Sequence, residues 1–294
     1  MQASLLIVSK NRKAELRRTL QILQKIIDFS LHEILVFLDG CDDGSSTLRQ
    51  EFKYVKWYES EKSLGASAAR AKLYSNAVGE YLIGLDDDAH PLLPDFIVSV
   101  RAIFKESDTT GIITFQEVKG VFESDEEAKK KIVSYRDEYL CNEFIGCGFA
   151  IRKDVYELTD GFPRWIDIYG EESCVALEVL SNGFDILYTN RIAVNHRVDM
   201  EARKKSGSNY FRFGKQLKNV GFYYMVYYPF PLLKILRLLL HNFTKYAVRD
   251  RVYFKEYVTG FALLVFRMPA VLKYRKPVSA AVIKKISALR SPQY

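Results

Sequence analysis

A chain of 294 residues with 48% hydrophobic and 27% charged residues can bury a large core, so it needs no disulfide framework. Its four cysteines form no C-x-x-C pair, which argues against a structural zinc site and indicates reduced thiols in the cytoplasm. No run approaches the roughly 20 apolar residues of a membrane span, and the apolar run at 5–8 is too short for a signal peptide.

The net charge of +7 is unevenly distributed. Residues 1–200 hold 24 Lys and Arg against 33 Asp and Glu, whereas residues 201–294 hold 19 Lys and Arg against 3 acids. A basic segment of this kind is typical of a surface that meets an anionic partner.

Short apolar strands alternate with helices along the first hundred residues. The pattern predicts strands over 4–8, 33–38, 55–58 and 81–85, with helices over 14–27 and 65–78. Such alternation indicates an α/β fold with a parallel sheet. Beyond this part we expect helices over 94–104, 123–139 and 171–180, and strands over 111–118, 149–152, 186–188 and 192–194.

Polar residues follow three of these strands at the point where each strand ends. They are Ser9, Asn11 and Arg12 after the first strand, Asp39 after the second, and Asp86, Asp87 and Asp88 after the fourth. Ligands of open parallel sheets bind beyond the carboxyl ends of the strands. The three groups are therefore expected to face one crevice.

The aspartates at 86–88 are three adjacent carboxylates. Two like charges about 4 Å apart repel by roughly 4 kcal/mol at an effective dielectric constant near 20. Mn²⁺ or Mg²⁺ relieves such repulsion, because these ions prefer carboxylate oxygens and often share them with substrate phosphates. A solvated acidic turn is the alternative, but the position after a buried strand favours a metal.

The segment LGASAARAKLYSNAVGEYLIGLDDD resembles the family 2 glycosyltransferases of the GT-A fold. The matching positions are Gly65, Ala69-Arg70, Ala77, Gly79-Glu80-Tyr81 and Asp86-x-Asp88. The segments SLLIVSKNR and EILVFLDGCDDGS also resemble the first two strand ends of that family. The resemblance covers about residues 3–200 and implies a Rossmann-like, mostly parallel sheet flanked by helices.

The resemblance also implies how a nucleotide-sugar donor is bound. Asp39 takes the place of the acid that contacts the nucleobase, Asp87 lies near the ribose, and Asp86 and Asp88 hold the metal that bridges the diphosphate. The remaining nucleotide-binding positions that we assign are Ser9, Asn11, Arg12, Gly65 and Arg70.

The segment GFPRWIDIYGEESC resembles the family motif that precedes the catalytic helix. Glu172 occupies the position of the base in inverting members, where Asp is usual, and Glu171 stands beside it as a second catalytic candidate. Both acids also suit a helix N-terminus. Cys174 and Glu178 depart from the family pattern, where a second acid and an Arg are common.

Two further residues have both a functional and a structural interpretation. His196 follows a short strand and corresponds to a family His that completes the metal shell, although a lone His is often structural. Trp165 precedes the catalytic motif, where its ring could stack on an acceptor sugar or lie in the core.

The C-terminal residues 201–294 combine apolar stripes with basic residues. Leu232, Leu233, Leu236 and Leu240 form one stripe, with Lys234 and Arg237 on the other side of the predicted helix. Residues 258–266 are apolar and precede another basic cluster. The composition predicts amphipathic helices that either bind an anionic membrane surface or pack on the catalytic domain.

We accordingly expect a GT-A catalytic domain over 1–200, with a nucleotide-sugar half over 1–100 and an acceptor half over 101–200, and a helical extension over 201–294. The predicted function is metal-dependent, inverting transfer from a nucleotide-diphosphate sugar, UDP or dTDP favoured, to a glycan, lipid-linked or polysaccharide acceptor. The expected location is cytoplasmic, with peripheral contact at the inner membrane face. Nucleic acid is not an expected partner, because no nucleic-acid motif is present.

Two alternatives remain. A nucleotidyltransferase would usually need a Gly-rich basic loop after the first strand, and SKNRKAE has no Gly. A non-catalytic nucleotide-sugar or glycan binder is the second, because Glu172 and Cys174 depart from the family pattern.

Overall fold

A computed structural model describes residues 1–199 and 208–293, and the predicted domain boundary at residue 200 lies outside the described residues. The strands are β1 (Ala3–Ser9), β2 (His32–Asp39), β3 (Val55–Ser60), β4 (Tyr81–Asp86), β5 (Ala89–Pro91), β6 (Thr110–Lys119), β7 (Glu138–Cys141), β8 (Gly148–Arg152) and β9 (Asp185–His196). They form one sheet of order β3-β2-β1-β4-β8-β6-β9-β5, and β7 pairs with β9.

The helices of the first two hundred residues are α1 (Lys13–Ile26), α2 (Leu48–Glu51), α3 (Ala66–Tyr74), α4 (Phe96–Glu106), α5 (Asp125–Lys129), α6 (Lys153–Tyr156) and α7 (Glu171–Ser181). The C-terminal helices are α8 (Ser208–Tyr227), α9 (Pro231–Asn242), α10 (Arg251–Val271) and α11 (Ala280–Ala288). A π-helical turn, Phe243–Ala247, links α9 to the loop before α10.

The first half of the sheet is parallel and the second half is mixed. Strands β3, β2, β1 and β4 run parallel, β8 is antiparallel to both β4 and β6, and β6 runs parallel to β9. The predicted α/β class is confirmed.

Helices cover both faces of the sheet because successive strand residues point to opposite sides. From β1, Leu5 and Ile7 pack with α1 and α4 on one face. Leu6 packs with Leu73 of α3 and Val175 of α7 on the other. The two helical layers thus leave the carboxyl ends of the strands open at one edge.

One predicted helix is wrong. The pattern predicts a helix over 123–139, but α5 ends at Lys129 and is followed by β7. The Asn190 side chain explains the difference, because its amide donates to the carbonyls of Val133 and Tyr135. Its Oδ1 accepts from the Asp137 backbone. These bonds hold the segment in a non-helical path and lead it into pairing with β9.

The C-terminal helices pack on the first part of the chain through α7. Cys174 and Leu177 of α7 contact a buried cluster that includes Phe222 and Met225 of α8 and Leu264 of α10. Over the described ranges, no helix is both long and apolar enough to cross a bilayer.

Candidate active site

An open cleft of about 1160 Å³ lies at the carboxyl edge of the parallel strands. Val8 of β1 lies opposite Asp86 of β4 in the sheet, so the residues after each strand are neighbours there. The cleft is lined by Arg12, Asp39, Gly65, Arg70, Asp86, Asp87, Asp88, Glu171, Glu172 and His196 from the predicted set. The expected convergence of the strand ends is therefore present in the structure.

The turn after β1 contacts the acidic triplet directly. The Ser9 hydroxyl donates to Asp87 Oδ2 at 2.7 Å, and Arg12 Nη2 donates to Asp88 Oδ2 at 2.6 Å. Burial raises the pKa of Asp87 to about 7, although Arg12 and Ser9 oppose that shift. His196 and Arg12 outweigh burial at Asp88 and hold its pKa well below the usual range.

Asn11 shapes the turn and does not line the cleft. Its φ of 54° lies in the left-handed region, which Asn tolerates better than most residues. Its Oδ1 accepts from the Asp42 backbone at 2.9 Å, which joins the turns that follow β1 and β2.

Asp39 is buried and organises the loop that follows β3. Its carboxylate accepts hydrogen bonds from the Ser63 hydroxyl and from the backbone of Leu64 and Gly65, at 2.6–3.1 Å. A more distant Ser60 hydroxyl lies 3.4 Å from Oδ1. Asp39 thus borders the cleft while its oxygens are occupied by this loop.

Gly65 permits a close approach of this loop to the segment before α7. Its φ is 87°, and an added Cβ would lie 2.8 Å from the Asp167 carbonyl oxygen. The Cβ of any other residue at this position would meet the Asp167 backbone, so one of the two segments would have to shift.

Arg70 lies at the centre of the acidic side chains in the cleft. Its Nη1 lies 2.6 Å from Glu172 Oε1 and 3.2 Å from Glu171 Oε1, and its Nη2 lies 3.0 Å from Asp86 Oδ1. Burial opposes the charge on Arg70, but these three acids outweigh it and raise the guanidinium pKa. Arg70 therefore stabilises a cleft that would otherwise contain several neighbouring anions.

Asp86, Asp88 and His196 offer ligand atoms that lie within 4.8 Å of one another. His196 Nε2 is 3.3 Å from Asp88 Oδ1 and 3.9 Å from Asp86 Oδ2. Asp88 Oδ1 is buried and accepts no hydrogen bond from the described residues. A divalent cation that prefers oxygen and imidazole ligands fits this set.

Glu117 orients the imidazole ring of His196 through the ring nitrogen Nδ1. Its Oε1 lies 2.5 Å from His196 Nδ1, which leaves Nε2 directed to the aspartates. Carboxylates commonly hold metal-binding histidines in this way. Burial lowers the pKa of His196, but Asp88, Cys147 and Glu117 outweigh it and raise that pKa to about 12. The same acids that attract a proton to this position would attract a metal ion.

Glu171 and Glu172 begin α7, where the helix dipole favours negative charge. The Glu171 side chain is buried, and burial together with the neighbouring Glu172 carboxylate raises its pKa. Glu172 is more exposed and reaches the cleft beside Gly146, where an added Cβ would lie only 2.4 Å from Glu172 Oε1. Glu172 is therefore the more accessible of the two acids in the cleft.

Trp165 does not reach this cleft. Its side chain is 7% exposed and lies in the cluster that joins α7 to the C-terminal helices, with its ring centre 6.2 Å from that of Tyr227. Trp165 thus lies in the core, which was the second of its two interpretations from the sequence. It is not part of this site.

Several cleft residues were not predicted from the sequence. They are Glu117, Glu143, Gly146 and Asp167, together with Phe211, Arg212 and Lys215 of α8. Glu117 lies near the end of a predicted strand, so the rule that found Asp39 could have found it. Glu143 and Gly146 lie in an irregular segment, and α8 was assigned to the extension, so no local pattern indicated them.

The model of the family described as glycosyl transferase family 2 matches residues 4–158, which is more than half of the chain. No curated protein is similar enough in sequence to be a match.

Several solved structures are similar in fold. GalNAc-T7 with UDP, GalNAc and Mn²⁺ has 18% identity and a TM-score of 0.55, over 68% of this chain and 44% of that one. Mannosyltransferase PcManGT from Pyrobaculum calidifontis with GDP-Man and Mn²⁺ has 15% identity and a TM-score of 0.59, over 98% and 75%. S. aureus TarS 1-349 with UDP-GlcNAc has 13% identity and a TM-score of 0.59, over 94% and 90%.

This chain spans less than half the length of the GalNAc-T7 chain. Identities this low establish the shared fold alone, whereas the family match rests on the sequence. Together with the sheet order and the strand-end acids, the match shows that the chain belongs to glycosyl transferase family 2 and is a glycosyltransferase of the GT-A fold.

Proposed function

We propose that this glycosyltransferase moves a sugar from a nucleoside-diphosphate donor, UDP or dTDP favoured, to a hydroxyl of a glycan, lipid-linked or polysaccharide acceptor, with inversion. The proposal rests on one observation. Asp86, Asp88 and His196, whose ligand atoms lie close together, line the same cleft as Glu172. UDP, GDP-Man and UDP-GlcNAc in structures of similar fold support a nucleotide-sugar donor.

Asp86, Asp88 and His196 would hold a Mn²⁺ or Mg²⁺ ion. When bound, such an ion neutralises charge on the diphosphate of the donor. Mn²⁺ in two of the similar structures supports this choice of cofactor.

The nucleotide end of the donor would lie near the strand ends of β1 and β2. Ser9 and Arg12 hold Asp87 and Asp88 in place, and Asp39 shapes the loop at Ser63–Gly65. Positive charge on Arg12 also suits a neighbouring phosphate.

Glu172 would take the proton from the acceptor hydroxyl while the hydroxyl oxygen attacks the anomeric carbon of the donor. The bond from that carbon to the diphosphate would break, and nucleoside diphosphate would leave. A base must lie within about 3 Å of the hydroxyl oxygen, and Glu172 is the more exposed acid of its pair. Arg70 fixes the orientation of the Glu172 carboxylate through the 2.6 Å contact with its Nη1.

The test is the release of nucleoside diphosphate from a panel of nucleotide sugars, with and without Mn²⁺. Turnover should require the ion, and Asp88→Asn should lower it by at least about 100-fold, because a metal ligand is lost. Asp108→Asn, at an exposed acid outside the cleft, is the matched control and should leave the rate unchanged.

Other results would favour the alternatives. Calorimetric binding of a nucleotide sugar without any turnover would indicate a non-catalytic binder. Release of pyrophosphate from a nucleoside triphosphate would indicate a nucleotidyltransferase. Full metal-independent activity in Asp88→Asn would contradict the assignment of the metal site.

We also propose that α9 and α10 bind an anionic membrane surface. Large apolar side chains are exposed along both helices, and Phe230 and Phe266 are 84% and 82% exposed. Basic residues accompany them, among them Lys234, Arg237 and Arg267. An apolar face opposite a basic face is typical of helices that lie in the membrane interface. This arrangement would make the enzyme a peripheral protein at the cytoplasmic face of a membrane.

A further inference from the structure

The turn that leads into α7 is held by one side chain of α8. Asn219 is buried, and its Nδ2 donates to the carbonyls of Ile168 at 2.7 Å and Tyr169 at 3.0 Å. Tyr169 and Gly170 have φ values of 69° and 107°, both in the left-handed region. A non-glycine residue in that region persists when its surroundings fix it, and Asn219 supplies the two bonds.

An ion cluster reinforces the same turn. Asp167 accepts from Lys218 Nζ at 3.0 Å and from Lys215 Nζ at 2.5 Å. Lys218 is 2% exposed, so its ammonium has little access to water, and this pair fixes the distance between α8 and the turn. The two lysines outweigh burial and hold the pKa of Asp167 well below its usual range.

The backbone of Asp167 extends this network to the opposite wall of the cleft. Its carbonyl accepts from the backbone N–H of Ser67 at 3.2 Å. The Ser67 hydroxyl donates to the Pro163 carbonyl at 2.6 Å. The start of α3, the helix that carries Arg70, is thus tied to the segment that precedes Glu171 and Glu172.

We propose that Asn219 and Lys218 are positioning residues that set the place of the Glu172 carboxylate, so that α8 is part of the catalytic apparatus. The proposal rests on the proposed function of Glu172 as the base. Asn219 touches neither donor nor acceptor in this scheme, because it acts through the turn at 167–170. Small displacements of a reacting group lower turnover far more than they lower ground-state binding.

The test compares two buried asparagines that make the same kind of contact. Asn219→Leu keeps the side-chain size and removes the donors to Ile168 and Tyr169. Asn190→Leu removes equivalent donors to Val133 and Tyr135, outside the cleft, and is the matched control. We expect Asn219→Leu to lower kcat by about 10- to 100-fold while the donor dissociation constant changes less than about threefold. The control should keep kcat within about twofold.

Hydrogen exchange supplies a readout that does not depend on activity. Residues 167–172 should exchange faster in Asn219→Leu than in wild type or in Asn190→Leu. Faster exchange at 167–172 supports the positioning role even if none of the tested donors is turned over. The exchange measurement therefore tests this proposal independently of the choice of donor and acceptor.

Two outcomes would overturn the proposal. One is unchanged exchange at 167–172 in Asn219→Leu. The other is an equal fall of kcat in both variants, which would indicate a general effect on folding. If Asn219→Leu does not fold, Asn219→Ser shortens the side chain so that it no longer reaches the Ile168 and Tyr169 carbonyls, and it should show the same effects.

Discussion

At the scale of single residues, Arg70 shows what a motif can and cannot predict. The Ala-Arg pair indicated that Arg70 would lie near the nucleotide. In the structure its guanidinium contacts Asp86, Glu171 and Glu172. Glu171 and Glu172 lie about one hundred positions further along the chain. A local pattern supplies the residue types, and only the folded topology determines which of them become neighbours.

The proposed role of Glu172 as the base gives the residue-scale prediction. Glu172→Gln should lower kcat by about 100- to 10,000-fold, because an amide cannot accept the acceptor's proton. The donor dissociation constant should change little, since the nucleotide end of the donor would lie at the strand ends. Steady-state transfer rates and donor calorimetry measure the two effects separately.

The control for that experiment is Glu157→Gln, at an exposed position beyond α6 that lies outside the cleft. A larger loss of kcat in Glu171→Gln than in Glu172→Gln would assign the base to Glu171 instead. Normal turnover in both variants would contradict a carboxylate base at the start of α7.

At the scale of elements, regular hydrophobic patterns predicted the first half of the fold well. Predicted strands at 4–8, 33–38 and 81–85 became Ala3–Ser9, His32–Asp39 and Tyr81–Asp86. Their side chains are buried by neighbours on both faces, so the apolar run itself determines the element.

Later elements were harder to predict because distant side chains decide them. The charged run at 123–139 has a helical composition, yet the Asn190 side chain binds its backbone carbonyls and holds it in a non-helical path. The two strands predicted at 186–188 and 192–194 are one strand, Asp185–His196, which bends at a bulge against β6. Neither the hydrogen bonds from Asn190 nor the bulge could be predicted from the local sequence.

The apolar surfaces of α9 and α10 give the element-scale prediction. Replacing Leu236, Leu240 and Phe261 by Ser should weaken binding to anionic vesicles by at least about 100-fold. Each exposed side chain contributes on the order of 1 kcal/mol when it enters the interface, and 1.4 kcal/mol is a factor of ten. Co-sedimentation with anionic and with neutral vesicles measures the change.

The control replaces Val98 and Leu158, which are apolar residues of comparable exposure on α4 and just after α6, by Ser. This variant should bind vesicles as wild type does. Two results would contradict a membrane-binding role for α9 and α10. One is equal sedimentation of both variants with anionic vesicles, and the other is equal binding of the wild type to anionic and neutral vesicles.

At the scale of the whole molecule, packing crosses the division that the charge distribution suggested. Residues before and after residue 200 share one buried cluster, in which Phe222 and Val226 cover Cys174 and Leu177 of α7. Helix α8 also lines the cleft through Phe211, Arg212 and Lys215. The C-terminal part is therefore a structural and a lining component of the enzyme.

This packing predicts the behaviour of a fragment comprising residues 1–199. Its melting temperature should fall by several degrees relative to the full chain, because about four large apolar side chains that the C-terminal helices bury become exposed to water. Turnover should fall to background, since the turn before α7 loses Asn219 and Lys218. Thermal unfolding and the diphosphate-release assay measure both effects, and a fragment with full activity would contradict this account.

The separation of charge between the two parts of the chain gives the molecule an electric dipole. The helices that follow residue 207 lie together as a layer against α7 and contain most of the excess positive charge. Near an anionic bilayer a dipole experiences a torque, which acts within a Debye length of about 8 Å at physiological ionic strength. The enzyme should therefore rotate during the last nanometre of its approach, and its basic layer should arrive first.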